Sequence, residues 1–461
     1  MNLASEFLRQ SAVKSADLTH RKVIRWNIGH YDAAVQRGKS RFLDWEAARE
    51  RCAEIKQEAV ENLDKLLVEF EQKIIARGGH VFWAENSQQA RQYIRDLVVA
   101  RGVKRVVKSK SMVTEEIHLT PALENLGCDV VETDLGEYIV QLRNEPPYHI
   151  VTPAMHLTRA QIADLFREKL EGVTSDDPAE LVAAARRKLR TAFFAADLGI
   201  SGANFLVADA GLVAISTNEG NARLSTTLPK IHVVVTGIEK VVPRLIDLAL
   251  LWPVLATAGT GQPITTYSTL IGGPKTAGEI DGPEEFHVVL VDNGRSELLA
   301  DLEQRDALRC IRCGACLNAC PVYKQIGGHT YNTTYQGPIG SVLTPHFRGH
   351  DFDHLSYASS LCGNCTSVCP VKIDLHHHLL QNRRNSVETD QRPWTERLAF
   401  GIWRWMMMSG SRFALLANLG KFCARGARKV GIDPLKPWTA YRAAPELPKR
   451  SFRELWKDGD V

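Results

Sequence analysis

The sequence predicts a multidomain protein in which an α/β domain built on a parallel sheet is followed by a mainly α-helical domain and a helical C-terminal extension. Three observations carry this. At 461 residues the chain is longer than one hydrophobic core ordinarily organises. Between His80 and Thr133 short strand-like runs alternate with helical ones, the order that gives a parallel sheet covered by helices. Beyond Asn293 strand-like runs become scarce and seven cysteines crowd between Cys310 and Cys369.

The elements follow in order. Apolar residues at Cys52, Ile55, Ala59, Leu63, Leu66, Phe70 and Ile74 have helical spacing, so one helix is expected from Trp45 to Ile75, stopped at Gly78-Gly79. Strands are then expected at His80–Ala84, Val103–Lys108 and Asp129–Thr133, with helices at Ser87–Ala100 and Thr114–Leu126 between them. A proline-containing segment leads to a helix at Leu181–Ala196 and to a hairpin, Phe205–Ala208 and Leu212–Ser216, turning at Asp209-Ala210-Gly211. The β-branched runs Ile231–Thr236 and His287–Val291 extend the sheet, with a helix at Leu245–Ala258 between them. Ser296–Leu308 reads as helix. Divided this way, the chain has an N-terminal helical segment (1–78), an α/β domain (79–294), a helical cysteine-bearing domain (295–385) and a Trp-rich extension (386–461).

Composition narrows the function. With 57 basic against 53 acidic residues and a net charge of +4, nothing argues for a nucleic-acid partner. The charged N-terminal stretch lacks the apolar core of a secretory signal. Leu245–Ala258, broken by Asp247 and Pro253, is shorter than the ~20 residues a membrane span needs. Ten cysteines in a chain without a secretion signal point to metal binding in a reducing, cytoplasmic compartment rather than to disulfides.

The cysteine pattern is the strongest signal. Cys310-x2-Cys313-x2-Cys316-x3-Cys320-Pro321 has the spacing of bacterial iron-sulfur ligation, and Cys362-x2-Cys365-x3-Cys369-Pro370 repeats most of it. In that spacing the first three cysteines wrap one cluster while the fourth serves another. Cluster one is therefore expected on Cys310, Cys313, Cys316 and Cys369, and cluster two on Cys320, Cys362 and Cys365. Ser359 stands where the fourth cysteine of cluster two belongs. A three-iron cluster, a four-iron cluster with Ser359 or another group as ligand, and a four-iron cluster with an open iron all fit. Structural zinc is the competing chemistry, but zinc ligands come in fours without this run and proline. Cys52, Cys128 and Cys423 read as small buried hydrophobes.

No dinucleotide or P-loop signature occurs. The polar turns around Gly199-Ile-Ser-Gly202, Asp209-Ala-Gly211 and Asn218-Glu219-Gly220-Asn221 expose backbone amides suited to an anion, so Asn218, Glu219 and Asn221 are candidate lining residues and Glu219 a candidate for chemistry. Together with Lys108-Ser-Lys-Ser111 and Glu132-Thr-Asp134-Leu-Gly136-Glu137, this segment resembles the LUD domain of lactate-utilisation proteins. The cysteine region, with 41 residues (321–361) between its runs, resembles the helical ferredoxin domains of succinate dehydrogenase iron-sulfur subunits and of the glycolate oxidase and heterodisulfide reductase families. A LUD domain, this cysteine pattern and a Trp-rich tail together are similar to the lactate utilization protein B family.

The resemblance implies a sheet like that of CoA transferases and sugar-phosphate isomerases, two clusters of [4Fe-4S] type, and a cytosolic iron-sulfur subunit. That subunit would work with companion proteins in oxidising L-lactate to pyruvate and pass electrons to an acceptor that the sequence leaves unnamed. The alternative is a self-sufficient 2-hydroxy acid oxidoreductase with substrate in the LUD pocket.

Other features have plainer readings. Neighbouring helical residues point about 100 degrees apart, so His376-His377-His378 cannot all face one ion and reads as a solvated helix face. Arg312 and Lys372, beside cluster cysteines, either raise a cluster's reduction potential or are surface charges. The run from Trp394 to Phe413, with Trp403, Trp405 and Met406 to Met408, is expected to pack on the chain's own core. A partner or peripheral membrane contact is the other use of such a run.

Overall fold

The computed structural model describes residues 2–388, 394–429, 436–439, 443 and 448–459. It divides into two compact units, Met1–Ser386 and Val387–Val461.

The first unit holds ten strands: β1 (His80–Ala84), β2 (Arg105–Lys108), β3 (Asp129–Glu132), β4 (Leu198–Ser201), β5 (Phe205–Val207), β6 (Leu212–Thr217), β7 (Ile231–Gly237), β8 (Val241–Val242), β9 (Tyr267–Ile271) and β10 (Glu285–Val291). Six of them form an all-parallel sheet in the order β1-β10-β7-β4-β2-β3. Its middle strand β7 is buried along its whole length, because helices cover both faces, and this is why it reads as an unbroken apolar run. The predicted hairpin forms, β5 against β6, but in a second sheet of order β8-β5-β6-β9. Gly211 supplies its turn with φ +58°.

Several expectations change. The helix expected from Trp45 to Ile75 is two helices, Trp45–Glu61 and Leu63–Ala76, broken at Asn62, whose side-chain amide donates to the Glu58 carbonyl and competes with the helix ladder. The helix expected at Thr114–Leu126 splits into Met112–Glu116 and Leu119–Glu124, separated by His118 at φ +50°, so that Pro121 falls in a first turn where its missing N–H costs nothing. Gly199 is not in a turn: it lies in β4, where a Cβ would stand 1.8 Å from the Ser225 carbonyl oxygen. Ser296–Leu308 is a short helix, Arg295–Ala300, and a 3-10 turn, Arg305–Arg309.

The cysteine region, built of short helices and 3-10 turns, shares a core with the α/β domain and the N-terminal helices. Ile24, Cys52, Ile150, Phe205 and Val254 pack in one cluster with Leu317, Ile339 and Ile373. The expected boundaries at 78/79 and 294/295 therefore fall inside one compact unit.

In the second unit, helices Trp394–Met407 and Gly410–Lys429 pack on each other, and no residue of the first is buried. The expected burial of Trp394, Trp403 and Trp405 in a core is not found. Residues 389–393, 430–435, 440–442, 444–447 and 460–461 of the expected extension lie outside the described residues. Among the described residues, no helix is long and apolar enough to cross a membrane.

Candidate iron-sulfur centres and the adjoining cleft

The first cysteine run is shaped by two left-handed residues, Arg312 (φ +60°) and Gly314 (φ +79°), which fold Cys310, Cys313 and Cys316 around one point. These three and Cys369 line a single small cavity walled by Ile150, Ile311, Ile339 and Ile373. Their sulfurs accept backbone N–H groups: Cys310 Sγ from Arg312 at 3.4 Å and Cys369 Sγ from Ile373 at 3.4 Å. Burial, the leading cause, pushes the Cys369 thiol up to about 11, and the Cys313 and Cys316 thiols higher still. Arg49 fixes the second run by donating twice to the Cys369 carbonyl, at 3.0 and 2.8 Å.

The remaining three cysteines form a second group. Cys320 accepts the Tyr323 N–H at 3.5 Å, and its thiol is raised by burial first and also by the nearness of Cys362. Cys365 is pushed up to about 11 by burial and next by Cys320. Asn364 ties the two runs together, its Nδ2 donating to the Ala319 carbonyl at 2.9 Å. Ser359 Oγ accepts the Leu361 N–H at 3.1 Å. All ten cysteines are free of disulfides. Soft sulfur donors supplied with N–H donors, in apolar surroundings for the first group and with Cys362 exposed in the second, fit iron-sulfur clusters, whose cationic iron makes buried thiolates tenable.

Beside the first group lies a buried charge network. Glu239 accepts from Arg295 Nε at 2.5 Å and Arg312 Nη2 at 3.2 Å, while Glu116 accepts from Arg295 Nη1 at 2.9 Å and Nη2 at 2.8 Å. Burial would raise the Glu239 carboxyl, but the charges of Arg295, then Arg312, outweigh it and hold the group at about 2. Arg312 also stacks over Tyr335, 4.5 Å from the ring centroid. It is therefore not a surface charge. Lys240 is buried, lowered to about 8 by burial and the Arg312 charge, and has no hydrogen bond or ion pair among the described residues. Lys56 donates to the carbonyls of Glu239 and Val241. Arg295, Arg312 and Lys240 thus surround two carboxylates next to Cys310, with the Lys56 amine, brought down to about 7 by burial, beside them.

Two of these charges, Lys240 and Arg312, line a cleft of about 450 Å³, in the size range of small-molecule sites. One wall carries Asn218, Glu219 and Asn221; the floor carries Lys240, Arg312 and Cys313. At the exposed mouth, Glu219 accepts the Leu135 N–H at 3.2 Å, and enclosure by the wall, then the charge of Asp134, raises its carboxyl. Asn218 is engaged in a reciprocal amide pair with Gln262 (2.9 and 3.1 Å), and Asn221 Oδ1 accepts the Ala222 N–H. The Lys108 and Glu132 motifs meet below: Lys108, fully buried, pairs with Glu132 at 2.7 Å and Glu115 at 3.0 Å.

Elsewhere, Cys52 and Cys128 are buried as expected, whereas Cys423 is exposed. His376 and His377 keep solvent access, but His378 is buried 2.6 Å from Asp306, so the three do not form one solvated face. Lys372 pairs with Glu50. Glu116, Glu239, Lys240 and Arg295 escaped the sequence reading. Their one signal is a charged pair, Glu239-Lys240, set between two apolar β-branched runs.

A parallel α/β domain whose cleft reaches the first of two groups of thiols through Cys313 defines a class, the LUD-domain iron-sulfur proteins. Family models match in the same order: a LUD domain over residues 67–291, a 4Fe-4S dicluster domain over 306–373, and the C-terminal domain of lactate utilisation protein B over 376–461. The proteins named Lactate utilization protein B from Bacillus thuringiensis (strain Al Hakam), Bacillus cereus (strain AH187) and Bacillus anthracis (strain A0248) are each 47% identical to this chain over 426 residues, 90% of this chain and 89% of theirs. The chain belongs to the lactate utilization protein B family. Among solved structures, a DUF162 family protein from Deinococcus radiodurans is similar at a TM-score of 0.28 and 14% identity, covering 50% of this chain and 98% of that one.

Proposed function

We propose that this chain is the electron-relay subunit of a cytoplasmic complex that oxidises L-lactate to pyruvate. The observation that supports this best is the gathering of seven thiols, drawn from both runs, into two neighbouring groups. On this reading Cys310, Cys313, Cys316 and Cys369 hold cluster one, while Cys320, Cys362 and Cys365 hold cluster two. Each cluster, when bound, carries one electron at a time, so a two-electron oxidation needs a further centre on a companion subunit. The N–H groups of Arg312 and Ile373 favour the more negative, reduced state of cluster one, and the charges of Arg312 and Lys240, both felt at Cys310, act in the same direction.

A second reading is favoured by the continuity of the cleft from Glu219 to Cys313. In it the chain itself binds the hydroxy acid, with the carboxylate toward Lys240 and Arg312 and Glu219 at the opposite end. Purified holoprotein, assayed with L-lactate and an artificial acceptor with and without the companion subunits, separates the two. The relay reading expects turnover only with companions; turnover by the chain alone sinks it.

A further inference from the structure

The two cysteine runs are a structural repeat at an offset of 49 residues: 310 corresponds to 359, 313 to 362, 316 to 365 and 320 to 369. The backbone repeats as well as the spacing. Arg312 (φ +60°) and Gly314 (φ +79°) have as counterparts Leu361 (φ +53°) and Gly363 (φ +76°). Each glycine opens a short helix, Ala315–Ala319 in the first run and Asn364–Ser367 in the second. A leucine in the left-handed region is strained, by roughly 1–2 kcal/mol, and such strain marks a loop held to a shape by function. The same strain recurs at the same register.

The hydrogen bonding repeats too. In the first run the side chain of residue 310 accepts the N–H of residue 312, sulfur to nitrogen at 3.4 Å. In the second, the side chain of residue 359 accepts the N–H of residue 361, oxygen to nitrogen at 3.1 Å. Ser359 Oγ therefore occupies, within its loop, the place that Cys310 Sγ occupies in its own. Arg383 clamps that loop from behind, donating to the carbonyls of Ser356 at 3.0 Å and Ser359 at 2.6 Å.

We infer that Ser359 is the fourth ligand of cluster two, binding iron through Oγ. This deepens the function proposed above and rests on its assignment of Cys320, Cys362 and Cys365 to that cluster. On ligation the Ser359 hydroxyl gives its proton to water as the oxygen-iron bond forms, with no change in electron count, and the Leu361 N–H then donates to the alkoxide. Oxygen is a harder ligand than thiolate, so this iron is the one cluster two gives up most readily.

The test uses the full chain purified without oxygen, with iron analysis and EPR spectra of its oxidised and reduced forms. The wild-type chain is expected to hold about eight irons as two four-iron clusters. Ser359→Ala is expected to lose one iron per chain and gain the EPR signal of an oxidised three-iron cluster, with the signal of cluster one and the circular dichroism unchanged. Ser359→Cys is expected to keep all its iron and to resist the loss on mild oxidation that wild type shows. An alanine variant with wild-type iron content and wild-type oxidation behaviour overturns the inference, as does a wild-type chain isolated with a three-iron cluster. Cys320→Ala, which leaves no ligand atom, separates the two levels: if cluster two survives that change, the cysteine assignment is at fault rather than Ser359.

Discussion

Replacing Glu239 by Gln keeps the shape of the side chain and removes one of two carboxylates from the buried network of Lys56, Glu116, Lys240, Arg295 and Arg312. The cost follows from the structure in two ways. The Glu239 carboxyl is moved from 4.5 to about 2 because Arg295 at 2.5 Å and Arg312 at 3.2 Å outweigh the burial that would raise it. By linkage that difference corresponds to roughly 3 kcal/mol of stability at neutral pH. Breaking a buried ion pair from one side costs about 3–5 kcal/mol. The two agree, so Glu239→Gln should lower the unfolding free energy by about 3 kcal/mol. Urea unfolding at neutral pH, followed by circular dichroism and by the visible absorption of the clusters, measures it. The sign with pH is fixed as well. A depressed folded pKa stabilises above the unfolded value and loses that contribution as pH falls from about 4.5 toward about 2, so the acid limb of the variant should be flatter than that of wild type. A loss under about 1 kcal/mol with an unchanged acid limb would refute the reasoning, because the cations would then be balanced without Glu239.

The remaining predictions concern the clusters, the cleft and the sheet. Cys369→Ser should damage cluster one although it lies in the second run; EPR showing loss of cluster two alone would mean the crossed assignment is wrong. Lys240→Gln should weaken pyruvate binding by about tenfold or more if the cleft takes a carboxylate at its floor, and calorimetry giving equal affinities would remove Lys240 from the site. Glu219→Gln, with both clusters retained, should reduce activity of the assembled complex if Glu219 takes part in chemistry; an unchanged rate excludes it. Gly199→Ala should destabilise by about 1–3 kcal/mol through overpacking, because the new methyl would meet the Ser225 carbonyl oxygen at 1.8 Å. A melting temperature equal to wild type would contradict that packing.

The legible parts of this protein are those whose causes lie close together in the chain. Strands β1, β2, β3, β5, β6, β7 and β10 were visible because each carries its own short apolar run of β-branched or aromatic residues. β4 was missed because its short Leu-Gly-Ile-Ser run contains Gly199 and is followed by Gly202, which read as turn signals until the burial of the strand is seen. The cut at Asn62 was missed because a single side-chain-to-backbone bond, not a proline or glycine, makes it.

The sequence by itself determined the cluster chemistry, since ligand spacing within one tight loop is a local property and survives in the order of residues. It also marked Ser359 as the odd position. Tertiary structure alone decided that Cys313 forms part of the floor of the cleft below Glu219, that Arg312 is buried against Glu239 and Tyr335 rather than solvated, and that the Lys240 amine has no acceptor among the described residues. These residues are brought together across some hundred positions by β7, the hairpin and the second sheet. Burial and charge act through space, so their balance is set only once the chain has folded.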